Sequence, residues 1–198
     1  MAVLKTNTYY AKDRKAWRKW LEKNHLVSDG VWLIYFKKDS GKTRVDYADA
    51  VEEALCFGWI DSTLNAIDEH SYMQLFTPRK PRSGWSKLNK ERVEALIAQG
   101  LMMPAGYEKI ELGKKHGTWH KLDHIESFTL PAELEKAFKE NKKAKAFFDM
   151  LSNTNRKYIL YYINGAKRED TRSKRISEII AAANEGLMHE RFIVKKKI

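Results

Sequence analysis

The pattern of apolar residues changes once along this chain, near residue 130, and that change constrains the fold more than any other feature. Before it, three short stretches read as strands: 31–36, 59–67 and 72–77. The polar residues 68–71 form a turn between the last two. After it, apolar residues recur only at helical spacing.

The fold class follows from this division. We expect an α+β protein whose N-terminal half has a small, mainly antiparallel sheet and helices, and whose C-terminal half is all-helical. Periodicity fails from Gly113 to Thr129, where glycine, histidine and polar residues dominate. The predicted organisation is therefore an α+β domain over 1–115, a linker over 116–129 and a helical domain over 130–198.

Local signals mark several helix ends. Asp46 and Ser86 are predicted N-caps, and Gly58 and Gly100 suit the residues that follow two helices. Pro104 suits the first turn of another helix. In the C-terminal half, four apolar stripes predict four helices: Leu134-Ala137-Phe138, Phe147-Phe148-Leu151, Tyr158-Ile159-Tyr162 and Ile176-Ile179-Ile180-Ala183.

The composition excludes several classes of protein. The 198 residues are 43% hydrophobic and 32% charged, which argues against a collagen-like or disordered chain. No apolar run approaches the roughly 18 residues of a membrane-spanning helix. The single Cys56 cannot form an internal disulfide, and residues 1–21 lack the apolar stretch of a secretory signal. We therefore expect a cytoplasmic protein.

Six residues around a helix-to-strand corner and the loop after it form the candidate ligand site. Trp59 and Asp61 share one face of a predicted strand, because strand side chains alternate. The basic loop 79–82 leads to a helix N-terminus at Ser86, where unpaired N–H groups favour an anion. The alternative is a structural corner in which Asp61 pairs with an arginine, and we expect that ion pair to form. The predicted ligand-binding residues are Trp59, Asp61, Arg79, Arg82, Trp85 and Asn89.

The chain is also strongly basic, with a formal net charge of +11. Such an excess favours contact with polyanions, or it keeps a protein in solution. Arg168, Arg172 and Arg175 recur at i, i+4 and i+7 with Lys174 beside them, a helical stripe suited to phosphates. A nucleic-acid-binding module at this stripe is therefore the alternative function. A solvated, partly paired helix face is the structural explanation of the same pattern.

Other chemistry has weaker support. His116, His120 and His124 recur at the spacing of metal-binding histidines, but glycines interrupt any helix there and a solvated linker fits them better. Cys56 lies on the apolar side of a helix, which predicts a buried, unreactive thiol. Phosphate-binding, dinucleotide-binding and nucleophile-elbow motifs are absent from the sequence. We predict no metal, no cofactor and no catalytic residue.

Several long motifs follow one another in an order that is typical of one family. They include 54–62 (ALCFGWIDS), 76–83 (FTPRKPRS), 166–168 (AKR) and 171–176 (TRSKRI). Over nearly its whole length the chain resembles the YdeI/OmpD-associated family, described as bacteriocin-protection proteins. The resemblance implies antimicrobial-peptide protection, porin association and an envelope location, and it brings no catalytic residues. It predicts a non-enzymatic binding or interaction protein in stress or antimicrobial protection, whose partner is a small anionic ligand or a protein.

Overall fold

The structure is a computed structural model, and it describes residues 7–188. The described residues form two compact units, one up to Leu122 and one from Asp123 on. The boundary falls inside the stretch 116–129 that the sequence marks as a linker, and the division into separate domains stays a prediction. Residues 189–198, the end of the predicted helical domain, lie outside the described part.

The first unit contains a four-stranded sheet. Its strands are β1 (Thr8–Tyr10), β2 (Val31–Phe36), β3 (Trp59–Ala66) and β4 (Ser71–Pro78), in the spatial order β1-β2-β4-β3. β1 pairs with β2 in parallel, and the other two pairings are antiparallel. The predicted small, mainly antiparallel sheet is therefore confirmed. β1 is missing from the prediction because three residues are too few to show a period.

Four helices complete the first unit: α1 (Arg14–Asn24), α2 (Tyr47–Cys56), α3 (Lys87–Ala98) and α4 (Pro104–Lys115). A short 3-10 turn, Lys38–Ser40, precedes α2. The first helix turn of α4 begins at its proline, as predicted. However, α4 continues through Gly113, which the sequence marks as the start of an irregular stretch.

Capping side chains behave differently at two predicted positions. The Ser86 hydroxyl accepts a hydrogen bond from the Asn89 N–H at 3.3 Å, which confirms it as the N-cap of α3. Asp46 occupies the N-cap position of α2, but its side chain makes no capping hydrogen bond. Gly58 and Gly100 follow the ends of α2 and α3 at positive φ, as predicted.

α1 lays tryptophan side chains against the sheet. The Trp17 ring stacks on Trp20 with centroids 5.2 Å apart, and it meets Phe76 of β4 edge-on at 5.3 Å. Trp20 in turn meets Trp59 of β3 edge-on at 5.8 Å. Trp17, Trp59 and Phe76 are buried. Because large aromatic side chains contribute most of the apolar area that a core removes from water, this cluster holds α1 on the sheet.

A buried carboxylate joins α1 to α2. The side chain of Glu53 is 3% exposed, and it accepts from Arg14 Nε at 2.6 Å and from Arg18 Nη1 at 2.7 Å. Arg14 also contacts Asp49 at 2.8 Å and Glu52 at 2.9 Å. A charge is tolerated inside a protein only when it is paired and hydrogen-bonded. Glu53 meets that condition with two guanidinium groups.

The second unit is all-helical in its described residues, as predicted. Its helices are α5 (Asp123–Glu126), α6 (Ala132–Glu140), α7 (Lys142–Met150), α8 (Asn153–Asn164) and α9 (Glu169–Asn184). α9 packs against α6, α7 and α8. Within residues 7–188, no helix combines the length and the apolar character needed to cross a membrane.

Among the apolar stripes predicted for the second unit, that of α9 agrees with the structure and that of α8 does not. On α8 the prediction was wrong in register, because Tyr158 is 53% exposed while Ile159, Leu160 and Ile163 are buried. The stripe of α9 is confirmed by four buried side chains at Ile176, Ile179, Ile180 and Ala183. A stripe that contains tyrosine is ambiguous, since the phenol suits both a wet and a buried position.

We predict that Glu53→Gln lowers the free energy of unfolding by about 3 kcal/mol, because two guanidinium groups lose their buried counter-charge. Urea denaturation followed by circular dichroism measures the change. Glu52→Gln is the matched control: its side chain is 29% exposed, and its loss should cost less than about 1 kcal/mol. Equal effects of the two substitutions would contradict a structural role for the buried carboxylate.

Candidate anion-binding site

The site lies where the chain leaves β4. Arg79 follows the last residue of β4, and its backbone N–H donates to the Gly58 oxygen at 2.9 Å. This bond continues the pairing of β3 with β4 for one more residue. The Arg79 side chain is directed inward, and the residue is 4% exposed. An arginine is almost never buried to this extent unless it has a partner for its charge.

The guanidinium of Arg79 lies over the indole of Trp85. Its Cζ is 3.7 Å from the ring centroid, a cation–π contact, and Nη2 donates to the Gly84 oxygen. Within the described residues, Nε and Nη1 are buried and have no hydrogen-bond acceptor. These two atoms carry three of the five N–H bonds of the guanidinium. A strong donor set is therefore buried without acceptors.

Arg79 differs from the other buried polar groups that lack a partner in residues 7–188. Trp32 Nε1, Tyr35 Oη and Asn164 Nδ2 belong to neutral side chains. Arg172 Nε lies 3.7 Å from a Glu133 oxygen, and its side chain is 30% exposed. Arg79 alone among these combines a full positive charge, near-complete burial and no carboxylate within ion-pair distance.

Burial lowers the pKa of Arg79 to about 10, and the negative charge of Asp61 acts in the opposite direction. The group thus stays protonated at neutral pH. A buried cation without a paired anion is costly, because the protein replaces its hydration with few compensating groups. An anion placed against Nε and Nη1 would remove that cost.

A small pocket lies beside Arg79; it encloses about 10 Å³, room for about one water, within about 200 Å³ of empty space that includes open solvent. Lys80, Lys109 and Ser83 are among the residues that line it. Trp85 and Leu112 form apolar walls. Small-ligand sites have this composition: mostly apolar walls and a few convergent polar groups. The charge of those groups suits an anion.

Close packing of α4 keeps the Trp85 indole in place. A Cβ on Gly113 of α4 would lie 2.6 Å from Trp85 Nε1, so glycine is required for this approach. Trp119 covers another side of the indole, with ring centroids 5.0 Å apart. The Thr118 hydroxyl is 3.4 Å from the backbone oxygens of Pro81 and Gly113, and so ties the loop to α4. The indole on which Arg79 stacks is therefore packed between α4 and Trp119.

Of the six predicted ligand-binding residues, the structure brings Arg79 and Trp85 together in this pocket. The other four do not line it. Trp59 packs in the core, where its Nε1 donates to the His25 oxygen at 3.1 Å. Arg82 is exposed, and the Asn89 oxygen accepts from Arg92 at 3.1 Å. Their role in ligand binding stays a prediction that this geometry does not favour.

The expectation that Asp61 forms an ion pair with Arg79 or Arg82 was wrong for the described residues. Asp61 instead accepts from Tyr47 Oη at 2.8 Å and from Gln74 Nε2 at 3.0 Å. Burial and the hydrogen bond to Asp61 raise the pKa of Tyr47 to about 12, so this hydroxyl remains a donor. The carboxylate is therefore held by two neutral donors, and the guanidinium of Arg79 lies on the indole of Trp85 instead.

Sequence reasoning missed Lys109 and Thr118, which lie 30 and more residues beyond the arginine that they accompany. Lys109 is on α4, and its stem runs against Gly58. Thr118 belongs to the stretch interpreted as a linker, yet it is buried. Gly113 was the available signal: a glycine inside a helix often marks a close approach.

The basic stripe of the second unit is mostly engaged within that unit. Arg168 pairs with Asp170 at 2.6 Å, and Arg172 donates to the Asn164 oxygen at 3.1 Å. Arg175 donates to the backbone oxygen of Tyr162, and its guanidinium stacks on the ring of that residue. Lys174 is exposed. Nucleic-acid binding stays a prediction, and three of its four cations already have partners.

Cys56 and the histidines are the remaining candidates for reactive or metal-binding side chains. Cys56 is buried, and burial raises the pKa of its thiol to about 11, which disfavours the thiolate, as expected for an unreactive cysteine. In residues 7–188, no three His, Cys, Asp or Glu side chains are grouped so that they could hold a metal ion. His116, His120 and His124 are among these residues.

Comparisons with known proteins match each unit to a different family model. Residues 9–109, just over half of the chain, match a family described as a domain of unknown function (DUF8412). Residues 127–186 match the family described as bacteriocin-protection, YdeI or OmpD-associated. Neither the curated proteins nor the solved structures give a significant match.

We predict that Gly113→Ala lowers the free energy of unfolding by about 1–3 kcal/mol, because the added methyl group overpacks the buried indole. This sign is opposite to the usual effect, since alanine stabilises a helix by up to ~1 kcal/mol relative to glycine. Urea denaturation measures it, and Lys115→Ala on the same helix should change stability by less than about 0.5 kcal/mol. A gain in stability would show that α4 and Trp85 do not approach closely.

Proposed function

We propose that this chain, which belongs to the DUF8412 family through residues 9–109 and matches the bacteriocin-protection, YdeI or OmpD-associated family over residues 127–186, is a non-enzymatic protein that binds a small anionic ligand. The proposal places the ligand in the pocket beside Arg79. Its role in bacteriocin or stress protection would be exerted through that bound anion.

One observation carries the proposal: the buried guanidinium of Arg79 has N–H bonds without acceptors. Proteins rarely retain a buried polar group in this state, and such groups are often functional. Glu53 provides the comparison within the same unit. That buried charge has two partners at 2.6 and 2.7 Å, whereas Arg79 has buried N–H bonds without acceptors and lines a pocket to which Lys80 and Lys109 also contribute.

The pocket favours binding over catalysis. Its described lining contains lysine, arginine and hydroxyl side chains, and it contains no Asp, Glu, His or Cys that could act as a general base. Such a lining can hold and orient an anion. A protein partner and the cytoplasmic location expected from the sequence stay predictions.

We predict that Arg79→Gln weakens the binding of small anions at least about tenfold, since it removes a charge-assisted donor set. Isothermal titration with sodium phosphate, sulfate and acetate measures the affinity at constant ionic strength. Thermal unfolding gives an independent readout, because a ligand at 100 times its Kd stabilises the folded state by about 2.7 kcal/mol.

Arg82→Gln is the matched control, since it removes the same charge three residues away from an exposed side chain. Its affinity for each anion should stay within about twofold of the original chain, as expected for an exposed charge. Equal losses in the two variants would indicate general attraction by a basic surface. No binding of any anion to the original chain would refute the proposed function.

A further inference from the structure

The charges around the pocket indicate the net charge of the anion that it prefers. Arg79, Lys80 and Lys109 contribute three cations to the lining. No carboxylate side chain is among the described lining residues. Glu108 approaches Lys109 Nζ only at 4.0 Å and is 64% exposed, so it compensates little of this charge. A monoanion would leave two of the three cations without a counter-charge.

The donors also exceed what a carboxylate can use. Trp85 covers one face of the guanidinium, and the Nε and Nη1 atoms at its edge are buried without acceptors. Lys80, Lys109 and Ser83 also line the pocket. A carboxylate has two oxygens in one plane, whereas a terminal phosphoryl group presents three strong acceptor oxygens in three directions.

The size of the pocket limits how much of the ligand enters. Its enclosed volume is only about 10 Å³, room for about one water or one ligand oxygen, so the rest of a ligand would lie in the open mouth. A phosphodiester inside a polymer has substituents on both sides and carries a single negative charge. A phosphate monoester has one substituent, which can leave through the mouth, and it carries about −1.5 to −2 at pH 7.

From the donors and the cations, we propose that the pocket recognises a terminal phosphoryl group, either as inorganic phosphate or as the head group of a phosphate monoester. This inference rests on the proposed anion-binding function and narrows it. Arg79 binds the phosphoryl oxygens from within, and Lys109 adds charge from α4.

The test compares four probes by isothermal titration at pH 7.5 and constant ionic strength: inorganic phosphate, methyl phosphate, dimethyl phosphate and acetate. Inorganic phosphate or methyl phosphate should bind at least about tenfold more tightly than the two monoanions, one tenfold step being 1.4 kcal/mol. A preference for inorganic phosphate over methyl phosphate identifies the free ion as the ligand, and the reverse identifies a monoester.

Two lysine variants test the origin of the preference. Lys109→Gln should reduce the preference for methyl phosphate over dimethyl phosphate about tenfold. Lys115→Gln, an exposed lysine on the same helix, should leave it unchanged. Circular dichroism verifies that each variant is folded, and Arg79→Lys serves as a second variant if Arg79→Gln is unfolded.

The failure of this inference is distinct from the failure of the proposed function. If acetate or dimethyl phosphate binds as tightly as methyl phosphate, and Arg79→Gln abolishes that binding, the pocket holds small anions without phosphoryl selectivity. The narrower inference is then overturned and the proposed function stands. If no probe binds, or if binding survives Arg79→Gln and Arg79→Lys, both are overturned.

Discussion

The aromatic contact between α1 and the sheet is the interaction on which the rest of the first unit depends. Trp17 and Trp20 of α1 bury their rings against Phe76 and Trp59, on the two strands that form the β3–β4 pair. This contact holds the end of β4 in position. The next residue, Arg79, is consequently held by its bond to the Gly58 oxygen, and the candidate site begins there.

Two charged side chains are buried in the described part of this unit, and their surroundings indicate different roles. Glu53 is surrounded by guanidinium groups and holds two helices together. Arg79 is stacked on Trp85 and keeps N–H bonds without acceptors. Burial alone therefore does not separate a structural charge from a functional one. The difference lies in whether the buried charge is compensated by the protein itself.

Much of the architecture could be predicted from the sequence, and the errors have physical causes. β1 is only three residues long, so it shows no alternation. Gly113 suggested the end of a helix, but it lies inside α4. The residue there is glycine because a Cβ would clash with the indole of Trp85. Tyr158 was placed in a buried stripe although its phenol tolerates water. In each case the prediction relied on nearby residues in the sequence, whereas packing in the folded chain decided the outcome.

The α+β class and most helix ends are readable from the chain itself, because periodicity and capping depend on neighbours within a few residues. The family resemblance rests on the order of long motifs. The composition of the site is different. Arg79 and Trp85 are close in sequence, but the lysine that completes the pocket, Lys109, comes from α4. Asp61, two residues from a core tryptophan, is held by Tyr47 and Gln74 and does not reach the arginine. Packing between elements decides which charges meet, because each side chain takes the partner that the folded backbone brings within hydrogen-bond distance.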